Sequence, residues 1–169
     1  MVYKFRILSD EVDDFVRDLD IISGHTFFNF HQALQQELRY DPSQLASFFL
    51  SNDRWEKVKE FTLFDMSDEN RSDVVFMDKA VISDYITAVK QKLLYQFDYF
   101  SDRVLYIELE AIYEEKAGDL YPVITRRQGL PPRQILSDKI LFPGGSPEDL
   151  PDSPDNEIDT TDLDEGTIR

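Results

Sequence analysis

Polar and apolar residues alternate along the first segment of the chain, VYKFRIL. Tyr3, Phe5 and Ile7 fall on one side and Lys4 and Arg6 on the other, which is the two-residue period of a strand with one buried face. The same alternation returns in FVRDLDI after a polar connection. The pattern predicts an antiparallel hairpin over the first 21 residues.

The second of these strands contains one exception to the alternation. Arg17 shares a face with Phe15 and Leu19, whereas Asp18 and Asp20 occupy the other face. A guanidinium group on an apolar face must either meet a carboxylate or extend its aliphatic stem until the charge reaches water. Arg17 is therefore the first candidate for a polar site.

A helical spacing of apolar residues follows the turn at Gly24. Thr26 is a suitable N-cap, and the next residues have the i, i+3, i+4, i+7, i+11 spacing of one helical stripe. The stripe consists of Phe27, Phe30, His31, Leu34 and Leu38. The pattern predicts a helix with the imidazole of His31 directed inward.

The rest of the body is predicted to mix short helices and strands. We expect a short helix over 43–50, a strand over 55–64, a polar loop at SDENRSD, a helix over 81–89 and a last strand near 121–125. Pro131 and Pro132 then end regular structure.

A second hairpin is predicted at YQFDYFSDRVLYIELE. Opposing its two apolar rows pairs Phe97 with Leu105 and Tyr95 with Ile107, and leaves a three-residue loop. Asp98 then lies on the opposite, polar face of the hairpin.

Charge is concentrated at the C-terminal end of the chain. The formal net charge is −16, and residues 143–169 hold nine acids and one base, a net of −8. This segment is also rich in proline and lacks a sustained apolar period, which predicts a disordered, solvating tail. A peptide that docks on a partner and a nucleic-acid mimic are the alternatives. We expect a globular domain over 1–142 and an acidic tail over 143–169.

Composition excludes several classes of function. The chain has no cysteine, which rules out disulfides, thiolate zinc sites and a cysteine nucleophile. The net negative charge argues against nucleic-acid binding. Neither a signal-peptide core nor a membrane-spanning apolar run is expected, so we predict a cytoplasmic protein.

Four segments in order resemble the plasmid ORF-three-like family, proteins of unknown function named after a reading frame on a root-inducing plasmid. The segments are FVRDLDI, TFFNFHQAL, YQFDYFSD and the stretch from YPV to GLPPR. The resemblance spans about residues 2–134. It implies that Arg17, His31, Tyr95 and Asp98 occupy family positions, as do Pro131 and Pro132.

The chain also departs from the family pattern. The substituted positions are Val16, Phe100, Ser101, Arg103, Leu105, Arg133 and Gln134. They stand where the resemblance implies two tryptophans, a Gly-Asp turn, a histidine and an acidic pair. If the family has a site built from that histidine and those acids, this chain lacks about half of it.

These observations lead to an α+β prediction: a mainly antiparallel sheet with helices packed on one side, followed by the acidic tail. For function we favour a non-enzymatic protein-interaction module with a basic or peptide-like protein partner. The alternative is a divergent hydrolase-like or metal-assisted enzyme that uses His31, Asp98 and Arg17. We expect those three residues to form one polar cluster beneath the first helix.

No cofactor or metal is expected, because no motif such as HExxH occurs. A histidine on an apolar stripe is more often a hydrogen-bonded core residue than a ligand. The sequence leaves the oligomeric state open.

Overall fold

Eight strands form a single mixed sheet. A computed structural model describes residues 1–64 and 74–136. The strands are β1 (Val2–Leu8), β2 (Val16–Ile22), β3 (Ser47–Ser51), β4 (Lys57–Thr62), β5 (Val75–Phe76), β6 (Lys92–Asp98), β7 (Arg103–Tyr113) and β8 (Val123–Gln128). They lie in the order β5-β4-β3-β6-β7-β1-β2-β8, and every neighbouring pair is antiparallel except β4 and β5.

The predicted N-terminal hairpin is confirmed. β1 and β2 pair antiparallel, with Phe5 opposite Leu19 and Ile7 opposite Arg17. Because side chains alternate across a strand, this register puts Arg17 on the same face as the buried Phe5 and Leu19. The sequence therefore placed the guanidinium on the correct face.

Helix α1 spans Phe27–Leu38 and begins with a capping box. The hydroxyl of Thr26 accepts a hydrogen bond from the Asn29 amide, and the Asn29 side chain accepts one from the Thr26 amide. The helix ends at Arg39, whose φ of 56° is left-handed. The predicted helix and its buried stripe are confirmed, with Gln35 as an additional buried member.

Aromatic side chains attach α1 to the sheet. Phe27 stacks on Phe61 of β4 with ring centroids 4.2 Å apart. Phe30 contacts Phe5 of β1 and Phe48 of β3 at 4.9 and 5.0 Å. Burying each such side chain stabilises the fold by roughly 1.5–3 kcal/mol. Because the contacts of Phe27 and Phe30 reach three strands, together they determine where α1 lies on the sheet.

Two helix predictions need correction. The segment 43–50 is not a helix, because Ser47–Ser51 forms β3 between β4 and β6. Phe48 and Phe49 of β3 point to opposite faces of the sheet and both are buried, so the FFL run has no polar–apolar alternation to identify it as a strand. The helix predicted over 81–89 is reduced to one turn, α2 (Ile82–Tyr85), since Ile86 already has extended dihedrals.

The second hairpin forms, but its register differs from the predicted one by two residues. Tyr95 pairs with Leu105 and Leu93 with Ile107. An irregularity between Gln96 and Asp98, together with a connection longer than three residues, takes up the difference. The apolar rows were correctly assigned to one face, whereas the pairing along the strands was wrong.

The other face of the sheet is covered by charged and aromatic side chains. Arg6 donates two hydrogen bonds to Asp18, and Lys92 pairs with Glu108. Trp55 meets Tyr106 edge to face at 5.1 Å, and the Lys92 ammonium lies 5.5 Å from the indole centroid. This face is built from ion pairs rather than from a second apolar layer.

The unit Met1–Ile135 is compact. The predicted SDENRSD loop and the predicted acidic tail at 143–169 lie outside the described residues. Within residues 1–64 and 74–136, no helix has both the length and the apolar character that are needed to cross a membrane.

Candidate functional site

Arg17 belongs to an ionic cluster with Glu37 and Arg127. Its Nε donates to Glu37 Oε1 at 2.8 Å, and Arg127 donates to both oxygens of the same carboxylate at 2.9 to 3.1 Å. The Arg17 and Glu37 side chains are only 7% and 9% exposed, whereas Arg127 is 62% exposed. We call this group the Arg17–Glu37–Arg127 cluster.

The remaining donors of Arg17 bind the backbone. Its terminal nitrogens donate to the carbonyls of Val16, Gln128 and Gly129 at 2.9, 2.7 and 3.1 Å. Gly129 has a φ of 66°, and a Cβ at this position would lie 2.6 Å from the Asp14 carbonyl oxygen. Arg17 therefore ties α1 to the end of β8, at a turn where only glycine fits.

A groove of about 1120 Å³ lies between α1 and β8. We call it the α1–β8 groove. Its residues come from β2, α1 and β8 and from the connections that flank α1 and β8. They include Arg17, Leu19, Ala33, Pro122, Ile124, Arg127, Leu130 and Pro131. The Arg17–Glu37–Arg127 cluster is part of its surface.

The charge of the groove is opposite in sign to that of the whole chain. Arg17, Arg39 and Arg127 line it together with a single acid, Glu37. The formal charge of this lining is therefore +2, in a protein of net charge −16.

His31 lies in a different network, with Tyr95 and Gln35. Its Nδ1 is 2.8 Å from the Tyr95 hydroxyl, and Gln35 Nε2 is 2.6 Å from the same oxygen. All three residues are buried. Burial lowers the pKa of His31 to about 4 and raises the pKa of the Tyr95 phenol. The imidazole is thus neutral at pH 7. We call this group the His31–Tyr95–Gln35 cluster.

A second cavity, of about 600 Å³, opens beside this cluster. His31 and Gln35 line it together with Phe28, Tyr40, Pro42, Leu63, Phe64 and two further glutamines of α1. One buried atom of the cluster, Gln35 Oε1, has no hydrogen-bond partner.

Asp98 belongs to a third polar network, separate from those of Arg17 and His31. Its carboxylate pairs with Arg103 at 3.4 Å and accepts a hydrogen bond from the Ser101 amide at 3.2 Å. Arg103 also binds Glu11 and the carbonyls of Arg133 and Gln134. This network joins the second hairpin to the segment that leaves the sheet.

The predicted cluster of Arg17, His31 and Asp98 is wrong as a unit. Among the described residues, no hydrogen bond or ion pair joins any two of them. Asp98 was predicted to lie on the face opposite Tyr95, but the irregularity between Gln96 and Asp98 pairs it with Arg103, two residues before Leu105 on β7, and Arg103 neutralises its charge. The carboxylate that Arg17 requires comes from Glu37.

Sequence reasoning missed Glu37, Arg127 and Gln35. Gln35 carried a signal, because it follows His31 by one turn on the same helical stripe. Glu37 and Arg127 carried none, since their meeting depends on how β8 pairs with β2. Within residues 1–64 and 74–136, no group of three or more His, Asp or Glu side chains is placed to hold a metal ion.

Comparison with known proteins gives a family and a fold. A family model described as plasmid pRiA4b ORF-3-like protein matches residues 1–135. No curated protein sequence matches the chain. The crystal structure of a protein of unknown function from Methanosarcina mazei Go1 is similar in fold, with a TM-score of 0.61 and 22% identity, and the match covers 75% of this chain and 68% of that one.

Proposed function

The chain belongs to the plasmid pRiA4b ORF-3-like family, as its motifs predicted, and from this premise we propose that it is a non-enzymatic protein-interaction module. The module holds a peptide-like segment of a partner protein in the α1–β8 groove. The observation that carries the proposal is the groove itself, whose lining comes from one helix, two strands and the connections that flank them.

The size of the groove supports a chain-like ligand. Pockets for small molecules enclose roughly 300–1,000 Å³, and the α1–β8 groove, at about 1120 Å³, is as large as the upper end of that range. Leu130 is 81% exposed and Val123 41% exposed, and both line the groove. Exposed apolar side chains beside polar ones match the pattern of peptide-binding surfaces.

The position of β8 supports the same ligand. β8 is the last strand in the sheet order, so within the described residues its outer edge has no strand partner. Extended peptides commonly bind by adding a strand to such an edge. We propose that the bound segment is extended and runs along β8 and α1.

The net charge of the chain and the charge of the groove lining favour partner segments of different charge. The field of a −16 chain attracts a basic protein at a distance, which is the partner predicted from the sequence. Within the groove, the lining of +2 favours a neutral or acidic segment. Since salt screens charges beyond about 8 Å, we propose that the local lining determines which segment binds.

The enzyme alternative draws no support from the geometry of its three residues. Arg17 is bound to Glu37 and to three carbonyls, and Asp98 to Arg103 and the Ser101 amide. His31 is in a separate network. A general acid or base must reach the same substrate as its partners, and these three belong to separate networks.

The proposal includes two further expectations from the sequence. The helices are taken to pack on one side of the sheet, which is supported by contacts of Tyr85 in α2 with Phe27 and Phe61 at 6.2 and 4.8 Å. A cytoplasmic location is retained as a prediction.

Peptide display against the immobilised full chain tests the function. We expect the wild-type protein to enrich extended peptides with apolar and acidic residues. Ala33 lines the groove on α1 and is half-buried, so the variant Ala33→Arg fills the groove with a good helix former. Affinity for the enriched peptides should fall at least about tenfold, equivalent to about 1.4 kcal/mol.

The matched control is Ala88→Arg, an exposed position that does not line the groove. It should leave peptide affinity unchanged. Enrichment of no peptide, or equal binding to both arginine variants, would contradict the proposed function.

A further inference from the structure

The cavity beside the His31–Tyr95–Gln35 cluster is separate in chemistry from the α1–β8 groove. Its lining contains no charged residue among the described residues. Aromatic and aliphatic side chains form its walls, including Phe28, Tyr40, Leu63 and Phe64. Its polar groups are glutamine side chains and the imidazole of His31.

The hydroxyl of Tyr40 is already occupied, because it donates to the Pro132 carbonyl at 2.6 Å. His31 and Gln35 are the two other buried polar residues of the described lining; Gln35 Oε1 has no hydrogen-bond partner, and the hydrogen bond of His31 uses Nδ1. They are 4% and 7% exposed and lie one helical turn apart. Both side chains are held in position by their hydrogen bonds to the Tyr95 hydroxyl.

Two hydrogen-bond arrangements satisfy the Tyr95 hydroxyl. In the first, the Gln35 amide donates to Tyr95, and Tyr95 donates to His31 Nδ1. His31 then carries its proton on Nε2, and Gln35 Oε1 is a free acceptor. In the second, the Gln35 amide is flipped. His31 Nδ1 then donates to Tyr95, Tyr95 donates to the amide oxygen of Gln35, His31 Nε2 is a free acceptor and the Gln35 amide nitrogen is a free donor.

Both arrangements leave the same kind of unsatisfied pair. One of the two side chains presents a donor and the other presents an acceptor, a turn apart on α1. No hydrogen bond from the described residues reaches His31 Nε2. A buried polar atom without a partner is costly and rare in native structures; Gln35 Oε1 is such an atom, and Gln35 is one of the residues that line the cavity.

We propose that this cavity binds a small, neutral, planar molecule that carries a hydrogen-bond donor beside an acceptor, such as a lactam or a heterocyclic amide. The donor and acceptor of the ligand complete the pair presented by His31 and Gln35. Its planar body lies among the aromatic and aliphatic walls. The volume of about 600 Å³ is within the range of small-molecule sites.

The described residues of the lining carry no charge at neutral pH, and this favours a neutral ligand. A carboxylate or phosphate would lose its hydration without meeting a cation. His31 does not supply one at neutral pH, because burial holds its pKa at about 4. A neutral amide loses less on desolvation and recovers both hydrogen bonds.

NMR titration of the full chain with 2-quinolone tests the proposal. This bicyclic lactam has one N–H beside one C=O. We expect saturable shifts of the His31 ring nitrogen signals, with a Kd on the order of 1 mM for a ligand of this size. N-methyl-2-quinolone keeps the shape and the acceptor but lacks the donor. Its binding should be about tenfold weaker.

A pair of matched glutamine variants locates the site. Gln35→Met keeps a side chain of similar length and removes the free polar atom, so 2-quinolone affinity should fall about tenfold. Gln96 is equally buried, lies on the other face of the sheet and does not line the cavity. Gln96→Met should therefore bind 2-quinolone as the wild type does.

Three results would overturn the inference. They are a wild-type protein whose His31 signals do not shift up to the solubility limit of 2-quinolone, equal affinity for the two quinolones, and full affinity in Gln35→Met. The first two use only the wild-type chain, so they do not depend on how a variant folds. Peptide binding at the α1–β8 groove is measured separately, so the two proposals fail independently.

Discussion

The two polar clusters beside α1 differ in how completely their buried atoms are paired. In the Arg17–Glu37–Arg127 cluster, two guanidinium groups bind one carboxylate, and Arg17 binds three carbonyls as well. In the His31–Tyr95–Gln35 cluster, one buried oxygen has no partner. Complete pairing indicates a structural role, whereas the incomplete cluster has capacity left for a ligand.

The largest expected effect comes from breaking the complete cluster. Arg17→Met leaves Glu37 with only the exposed Arg127 and removes the donors to three carbonyls. We expect the free energy of unfolding to fall by about 3 kcal/mol, measured as a lower urea midpoint at constant m-value. Arg39→Met, at an exposed position, should change it by less than about 0.5 kcal/mol. A loss below about 1 kcal/mol for Arg17→Met would show that the cluster is not structural.

The pH dependence of the unfolding free energy provides a second test, because His31 has a lowered pKa in the folded protein. Its pKa is about 4 in the folded protein and near 6.5 in an unfolded chain. Between these values the unfolded state binds more protons, so stability from this group is full above pH 6.5 and is lost as the pH falls towards 4. From pH 7 to 4.5 the loss should be roughly 2.5 kcal/mol.

The variant His31→Asn isolates this contribution, because the carboxylates that titrate in the same range are common to both proteins. The difference in unfolding free energy between wild type and variant should shrink as the pH falls. A difference that is the same at pH 7 and pH 4.5 would contradict the buried, neutral imidazole.

Removing the shared hydroxyl should have an intermediate effect. Tyr95→Phe leaves the Gln35 amide without an acceptor and His31 Nδ1 without a partner. We expect a loss of about 2 kcal/mol in the free energy of unfolding. Calorimetric unfolding would measure it, with Tyr99→Phe at an exposed position as the control. A neutral Tyr95→Phe would mean that the hydroxyl does not organise the cluster.

The smallest expected effect on stability is that of Gln35→Met, which directly tests whether the His31–Tyr95–Gln35 cluster is incompletely paired. Gln35→Met removes a hydrogen bond to Tyr95 but also removes the unpaired oxygen. These changes oppose each other, so stability should change by less than about 1 kcal/mol. Gln96→Met only loses a bond to Asp102 and should cost about 1 kcal/mol. If Gln35→Met costs clearly more than Gln96→Met in chemical denaturation, the incomplete cluster is structural too.

Local patterns in the sequence predicted the parts of the fold that local forces determine. The first hairpin and α1 have a strand period, a helix period and a cap at Thr26, and all three features form as expected. β3 has no such period because both of its faces are covered. The register of the second hairpin depends on an irregularity near Phe97 that no turn residue indicates.

The sequence indicated the environment of individual candidate residues, but not which residues contact one another. The sequence showed that Arg17 needs a carboxylate and that His31 points inward. The identity of the partners depends on strand pairing, since β8 brings Arg127 opposite Arg17. Asp98 was grouped with them because of the family motif, whereas its carboxylate pairs with Arg103 and the Ser101 amide at the end of the second hairpin.

Trp55 gives one face of the sheet, the face with the ion pairs, an optical signal of its own. It is the single tryptophan of the chain and lies on the ionic face, against Tyr106 and near the Lys92 ammonium. Its fluorescence therefore follows the integrity of that face, without a direct contact to either cluster beside α1. Far-ultraviolet circular dichroism follows the whole sheet. Coincident transitions from the two probes would identify cooperative unfolding, and an earlier change in emission would identify local opening of the ionic face.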